Sequence, residues 1–194
     1  MQNSEIVLIG GSGKTGGRIA NRLEELGLDV RKASRSTVPA FEWEDRTTWR
    51  NALTGATSAY VAFQPDLSVS WAAEAIEALS RLARECGLQH IVLLSGRGEE
   101  GAQRSEEALR AAGVDYTILR ASWFCQNFSE GAFVESLIAG RLELPAGDIK
   151  EPFIDAGDIA DAAVAALTDI RHRNRIYELT GPHALSFREA VAEI

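Results

Sequence analysis

The chain has 194 residues, 45% hydrophobic and 25% charged, the balance of one ordinary α/β domain with room for a sizeable core. Acidic residues outnumber basic ones 28 to 20, a formal net charge of -8, so the long-range field repels nucleic acid and anionic membrane and any phosphate contact must be local. Cys86 and Cys125 are too few for a disulfide framework or a Cys-rich metal site and are expected to be buried thiols. With no apolar run near the ~20 residues that span a bilayer, and no secretion signal at the start, a cytoplasmic location is expected.

Near the N-terminus, Ile6-Val7-Leu8-Ile9 reads as a strand buried on both faces, the kind found at the centre of a parallel sheet. Gly10, Gly11, Gly13, Gly16 and Gly17 follow, and then Ile19, Ala20, Leu23 and Leu26 at the spacing of one helix face. Strand, glycine turn and helix in this order suit a dinucleotide pyrophosphate, because the backbone can approach it without a Cβ and the helix N-terminus offers free N–H groups. The alternative is a glycine-rich turn with no ligand. Gly13-Lys14-Thr15 ends like a triphosphate P-loop, but that motif needs glycine five residues before Gly13, where Leu8 stands.

Gly27 is a natural helix cap, and residues 28–35 read as a second strand running into a loop. At such a strand tip an acidic residue favours NAD and an Arg accommodates the 2′-phosphate of NADP; here the tip is Ser34-Arg35, with no carboxylate. A solvated surface Arg is the bland alternative. Further elements are expected as a short strand at 41–43, a short helix at 47–53, a central strand at 57–63, and a helix over 69–86 ended by Gly87. A strand at 90–94, a helix at 103–112, a strand at 115–120, a helix at 158–167 capped by Gly157 or Asp158, and a strand at 175–179 complete the alternation. Residues 145–152 read as a loop, and Ser186 with Glu189 as a capping box. The pattern is that of a doubly wound parallel sheet, with ligands at the carboxyl ends of its strands, where Gln64, Pro65 and Ser95 fall. His90 begins its strand and is expected to be structural. The aromatic run Trp123, Phe124, Phe128 and Phe133 is either core or the wall of an apolar pocket.

Taken together, the glycine motif, FEWEDRTTW, ILRASWFCQNFSEG, PFIDAGDIADAAVAALTD and YELTGPHALSFREA resemble the NmrA-like branch of the atypical short-chain dehydrogenases/reductases. Within that branch the chain is most similar to the group named after ergot-alkaloid biosynthesis reductases. The resemblance implies a Rossmann-fold NAD(P)-binding domain over residues 1–150 and, over 151–194, the beginning of a C-terminal substrate-side segment integrated with it. Family members are usually longer, so this small substrate lobe is expected to be incomplete and the cleft open. By resemblance Gly10, Ser12, Gly13, Lys14, Thr15 and Gly16 hold the pyrophosphate, Arg35 the 2′-phosphate and Trp43 the adenine side. Phe63, Gln64, Pro65 and Ser95 line the nicotinamide side, with Phe124 and Asn127 near the substrate. Ala121 stands where the family segment usually has Pro.

The Tyr and Lys dyad of short-chain dehydrogenases is missing: four residues after Tyr60, Tyr116 and Tyr177 stand Gln64, Arg120 and Gly181. No metal site or hydrolytic triad is evident in the spacing. Two functions remain open at this level. One is an NADPH-dependent reductase, preferring NADP(H) to NAD(H), of a small acceptor such as a quinone, activated alkene or iminium. The other is a non-catalytic NADP(H) sensor acting on a regulatory protein partner. A homo-oligomer is left open.

Overall fold

The computed structural model of the protein describes residues 5–131 and 133–194. The apolar run near the N-terminus forms β1 (Glu5–Ile9), with Val7, Leu8 and Ile9 fully buried. It takes β2 (Val30–Ala33) on one side and β3 (Ala56–Val61) on the other, both parallel. β4 (His90–Gly96) and β5 (Asp115–Ala121) extend the sheet. β6 (Lys150–Glu151) lies outside it, and β7 (Arg175–Leu179) closes it beside β5, giving the parallel order β2-β1-β3-β4-β5-β7. The order reverses at β1, so a crevice opens between the turns after β1 and β3.

Each strand alternates its side chains between two helical layers. On one face, Val7, Ile9, Ala59, Val61, Ile91 and Leu93 meet α2 (Trp49–Leu53), α3 (Ala72–Glu85) and α4 (Glu100–Ala111). On the other, Ile6, Leu8, Tyr60, Val92 and Leu119 meet α1 (Lys14–Glu25) and a later Ala-rich helix. That helix is α6 (Ala156–Thr168), which a short α5 (Val134–Ile138) precedes in sequence. Ile19, Ala20 and Leu23 of α1 lie against Ala160, Ala163 and Ala166 of α6, whose small side chains let the two helices approach closely. β6 pairs antiparallel with β8 (Leu185–Ser186), which leads into α7 (Phe187–Ala192). Phe133, Phe153, Phe187 and Ala190 form an apolar cluster of their own beneath this pair. Among the described residues no helix is long and apolar enough to cross a membrane.

Most expected elements are present, and the differences have local causes. The second strand stops at Ala33 because Thr37 Oγ1 donates to the Ser34 carbonyl and turns the chain. The short strand expected at 41–43 is absent: one isolated bridge joins Glu42 and Asp45, and Trp49 Nε1 donates to the Glu42 carbonyl at 2.7 Å. Phe41, Trp43 and Trp49 are instead a ring cluster, with Phe41 and Trp43 edge to face at 5.1 Å. The helix cap expected at Gly157 or Asp158 is Asp155, whose carboxylate accepts from the Gly157 N–H at 2.6 Å. Residues 145–152, expected as a loop, hold β6, and the Ser186–Glu189 capping box forms with both of its bonds. The cysteines are not buried thiols: Cys86 is half-buried and Cys125 exposed.

Candidate functional site

Gly10 leaves β1 with φ +83°, a conformation suited to glycine, and its N–H donates to the Ala33 carbonyl at 3.1 Å, which holds the turn against the end of β2. A Cβ on Gly16 would collide with the Gly10 carbonyl oxygen, so the first turn of α1 lies directly on the glycine turn. Gly13 caps α1 without a side chain, and no acidic residue occupies the first turn. The first-turn N–H groups therefore face outward unopposed by negative charge, the electrostatics of an anion cradle. Ser12 is exposed at the apex. Thr15 is buried, its hydroxyl bonded to the Tyr60 hydroxyl at 2.8 Å, so an anion would meet its backbone N–H and not its side chain.

Lys14 opens α1 and turns across the crevice, where Nζ donates to Asn127 Oδ1 at 2.8 Å. One turn on, Arg18 pairs with Glu130 at 2.5 Å, and after another turn Arg22 pairs with Asp161 at 2.6 Å. The first two links hold the segment after β5 against the start of α1, and the third ties α1 to α6. On the other flank, Arg35 lies two residues beyond β2, exposed and without an ion-pair or hydrogen-bond partner among the described residues. Trp43 packs on Phe63 with ring centroids 4.4 Å apart, and Phe63 packs in turn on Trp71 at 4.8 Å. Phe63 thus touches the Arg35 side of the crevice through Trp43 and lines the cleft on its other face.

That cleft, about 590 Å³, lies at the carboxyl ends of β3, β4 and β5. Lys14, Phe63, Pro65, Ser95, Phe124 and Asn127 all line it, so six of the residues named from the sequence meet in one place. Gln64 is exposed outside its lining. The aromatic run divides between the two roles left open for it: Trp123 and Phe124 wall the cleft, whereas Phe128 and Phe133 belong to the C-terminal apolar cluster. Trp123, half-exposed, joins the two by stacking on Phe133 at 5.9 Å.

Sequence reasoning missed the polar floor. Ser95 Oγ donates to Glu106 Oε1 at 2.6 Å, and Arg120 grips the same carboxylate through Nε at 2.9 Å and Nη2 at 2.6 Å. Glu106 is 2% exposed, and a charged residue on the otherwise uncharged buried stripe Ala102, Ser105, Leu109 was the available signal. Glu99 also reaches the cleft, its carboxylate against Gly96; desolvation and the neighbouring Asp66 push its carboxyl above the usual range.

Among the described residues no tyrosine or histidine lines the cleft. The Tyr60 phenol is fully buried on Thr15, and burial raises it further from ionisation; the Tyr177 hydroxyl bonds His172 Nδ1 at 2.8 Å. His90, expected to be structural, is buried with Nε2 2.9 Å from Thr117 Oγ1. Among the described residues no cluster of His, Cys, Asp and Glu could hold a metal ion.

No family model matches the chain. It is 36% identical to agroclavine dehydrogenase of Claviceps fusiformis, a match covering 97% of this chain and 71% of that protein. It is 34% identical to the uncharacterized oxidoreductase YesF of Bacillus subtilis strain 168, covering 100% of this chain and 71% of the relative. Its fold matches triphenylmethane reductase of Citrobacter sp., solved with NADP(H), at a TM-score of 0.73 and 19% identity over 94% of this chain and 72% of that one. The glycine turn, the crevice and these likenesses agree: the chain belongs to the NmrA-like branch of the atypical short-chain dehydrogenases/reductases, a family of NAD(P)H-dependent oxidoreductases.

Proposed function

We propose that the protein reduces a small acceptor, a quinone, activated alkene or iminium, with NADPH and without a Tyr and Lys proton-donating pair. The observation that carries this reading is the 590 Å³ cleft, which adjoins an anion cradle and has neither tyrosine nor histidine in its lining. The cradle fits a dinucleotide, since the turn excludes side chains where a pyrophosphate needs backbone contact. Gly10, Ser12, Gly13, Lys14, Thr15 and Gly16 would hold the phosphates, and the exposed Arg35 supports a preference for the 2′-phosphate of NADP(H). Trp43 would lie beside the adenosine half, and Phe63, Pro65 and Ser95 beside the nicotinamide.

When bound, the reduced nicotinamide supplies a hydride. The chain's own contribution is positioning: Trp123 and Phe124 wall the acceptor, and Asn127 is fixed by Lys14. Holding two reactants in near-attack geometry can supply about 7 to 11 kcal/mol, whereas one general acid adds about 10²–10⁴-fold, so an acceptor that takes hydride readily turns over without the pair. Ordinary ketones, whose developing alkoxide needs a donor, are poor substrates on this reading. The test is NADPH deuterated at C4, offered with quinone, enal, iminium and ketone acceptors. Label should remain on carbon in the reduced iminium or enal and not appear in the ketone's alcohol, while the quinone, whose O–D exchanges into water, should show cofactor oxidation with a primary isotope effect. No label transfer and no cofactor oxidation with any of them at saturating cofactor would reject the reductase in favour of a sensor.

A further inference from the structure

Ser95 stands at the carboxyl end of β4 and lines the cleft, although it is 4% exposed. Its hydroxyl has one hydrogen. Glu106, on the buried stripe of α4, accepts that hydrogen on Oε1 at 2.6 Å. The same carboxylate takes Arg120 on both oxygens, with Nε at 2.9 Å and 3.1 Å and Nη2 at 2.6 Å. Arg120 Nη1 continues to Glu178 at 3.0 Å, so the guanidinium cannot swing away without breaking a second ion pair. A carboxylate paired with a guanidinium accepts and does not donate, which fixes the direction of the Ser95 bond. With its hydrogen held below, Ser95 has lone pairs alone to offer the cleft.

We infer that Glu106 is a positioning residue that makes Ser95 a hydrogen-bond acceptor toward the cleft, so that the site prefers acceptors presenting an N–H or O–H at that point. The inference rests on the cleft being the acceptor site. It reverses the role that a serine at such a strand end would take by default. A hydroxyl facing a carbonyl undergoing hydride attack would donate to the forming oxyanion, and one such donor is worth about 10²–10³-fold. Here the lone pairs of Ser95 would oppose that charge. The preference is therefore written by α4 and β5, which contribute Glu106 and Arg120 without touching the acceptor.

Glu106→Gln inverts the arrangement. Arg120 holds the variant's amide oxygen, its NH₂ turns to Ser95 Oγ, and the serine hydrogen is released into the cleft. The test uses wild type, Glu106→Gln and Ser95→Ala with two naphthoquinones of equal size, one amino- and one methyl-substituted, and with benzaldehyde. Wild type should show a KM for the amino compound lower by about tenfold, the effect of one hydrogen bond of about 1.4 kcal/mol, with similar kcat for both. Ser95→Ala should abolish that ratio, and Glu106→Gln should reverse it and add measurable aldehyde turnover. A second readout needs no turnover. The hydroxyl proton of Ser95 should appear in the proton NMR spectrum as a slowly exchanging signal that is absent in Ser95→Ala and exchanges fast in Glu106→Gln. Equal KM values for the two quinones in wild type, a loss of aldehyde turnover in Ser95→Ala, or a wild-type spectrum without the slow proton would overturn the inference. If Glu106→Gln does not fold, wild type and Ser95→Ala decide it alone. If no acceptor oxidises NADPH, the reductase reading fails while the NMR signal still decides the polarity of Ser95.

Discussion

On the proposed reading, cofactor choice turns on Arg35. It stands free at the end of β2, with no carboxylate at the tip to repel a phosphate or to bind a ribose hydroxyl. A charge-assisted phosphate contact contributes about 1.5–3 kcal/mol, so Arg35→Ala should weaken NADPH binding by roughly tenfold to a hundredfold and leave NADH nearly unaffected. Titration calorimetry with both cofactors checks this, and equal losses would remove the preference. Arg35 was legible in the sequence because its position is set by a strand tip, a local feature. Glu106 was not. Its meaning depends on Ser95 and Arg120, 11 and 14 residues away in sequence, and these meet after α4 has packed on the sheet. Trp43 shows the same limit: the strand expected at 41–43 is replaced by a ring cluster in which Trp49 Nε1 donates to the Glu42 carbonyl, a contact between residues seven apart.

At the scale of elements, the join between the glycine turn and α1 admits a direct check. Gly16 and Gly17 are neighbours in sequence with opposite surroundings. A Cβ on Gly16 strikes the Gly10 carbonyl, whereas on Gly17 the nearest atom is the Gly11 carbonyl oxygen at 4.0 Å, an ordinary contact. Gly16→Ala should therefore destabilise by about 1–3 kcal/mol as overpacking and abolish cofactor binding, since the turn must move. Gly17→Ala should instead stabilise by about 0.4–1 kcal/mol, because alanine loses less backbone freedom on entering a helix. Urea unfolding of both variants gives the comparison, and a similar destabilisation in the two would mean that the turn tolerates a Cβ. Strand, turn and helix here were readable because glycine positions and hydrophobic period are short-range signals. The β6–β8 pairing was not, since two residues on each side carry no period.

For the molecule as a whole, His90 ties stability to pH. It sits at the amino end of β4, 2% exposed, and burial, aided by Arg173, lowers its imidazole to about 4. Thr117 Oγ1 donates to the His172 carbonyl at 2.8 Å, so His90 Nε2 carries the hydrogen and donates to Thr117, the neutral form. The unfolded chain has His90 near 6.5 and binds its proton first, so stability from this group is complete above 6.5, falls as the pH drops toward 4, and is constant below. The span corresponds to at most about 3–4 kcal/mol, at about 1.36 kcal/mol for each unit between 6.5 and 4. The carboxylates held below their usual range, Asp115 and Asp155 among them, lose their contribution only at more acidic pH. His90→Gln should flatten the change in urea midpoint between pH 7.5 and 5, and an unaltered slope would place the dependence elsewhere.

The row of Lys14, Arg18 and Arg22 on successive turns of α1, joined to Asn127, Glu130 and Asp161, makes one helix the common neighbour of the glycine turn and the cleft wall. A ligand at the cradle that draws on Lys14 alters how firmly Asn127 is held, and Asn127 lines the cleft. Coupling of this kind is reciprocal by thermodynamic necessity: by whatever factor a bound dinucleotide changes acceptor affinity, a bound acceptor changes dinucleotide affinity. Lys14→Met should weaken dinucleotide binding and shrink the factor by which each ligand changes the affinity for the other, which titration of each ligand with and without the other measures.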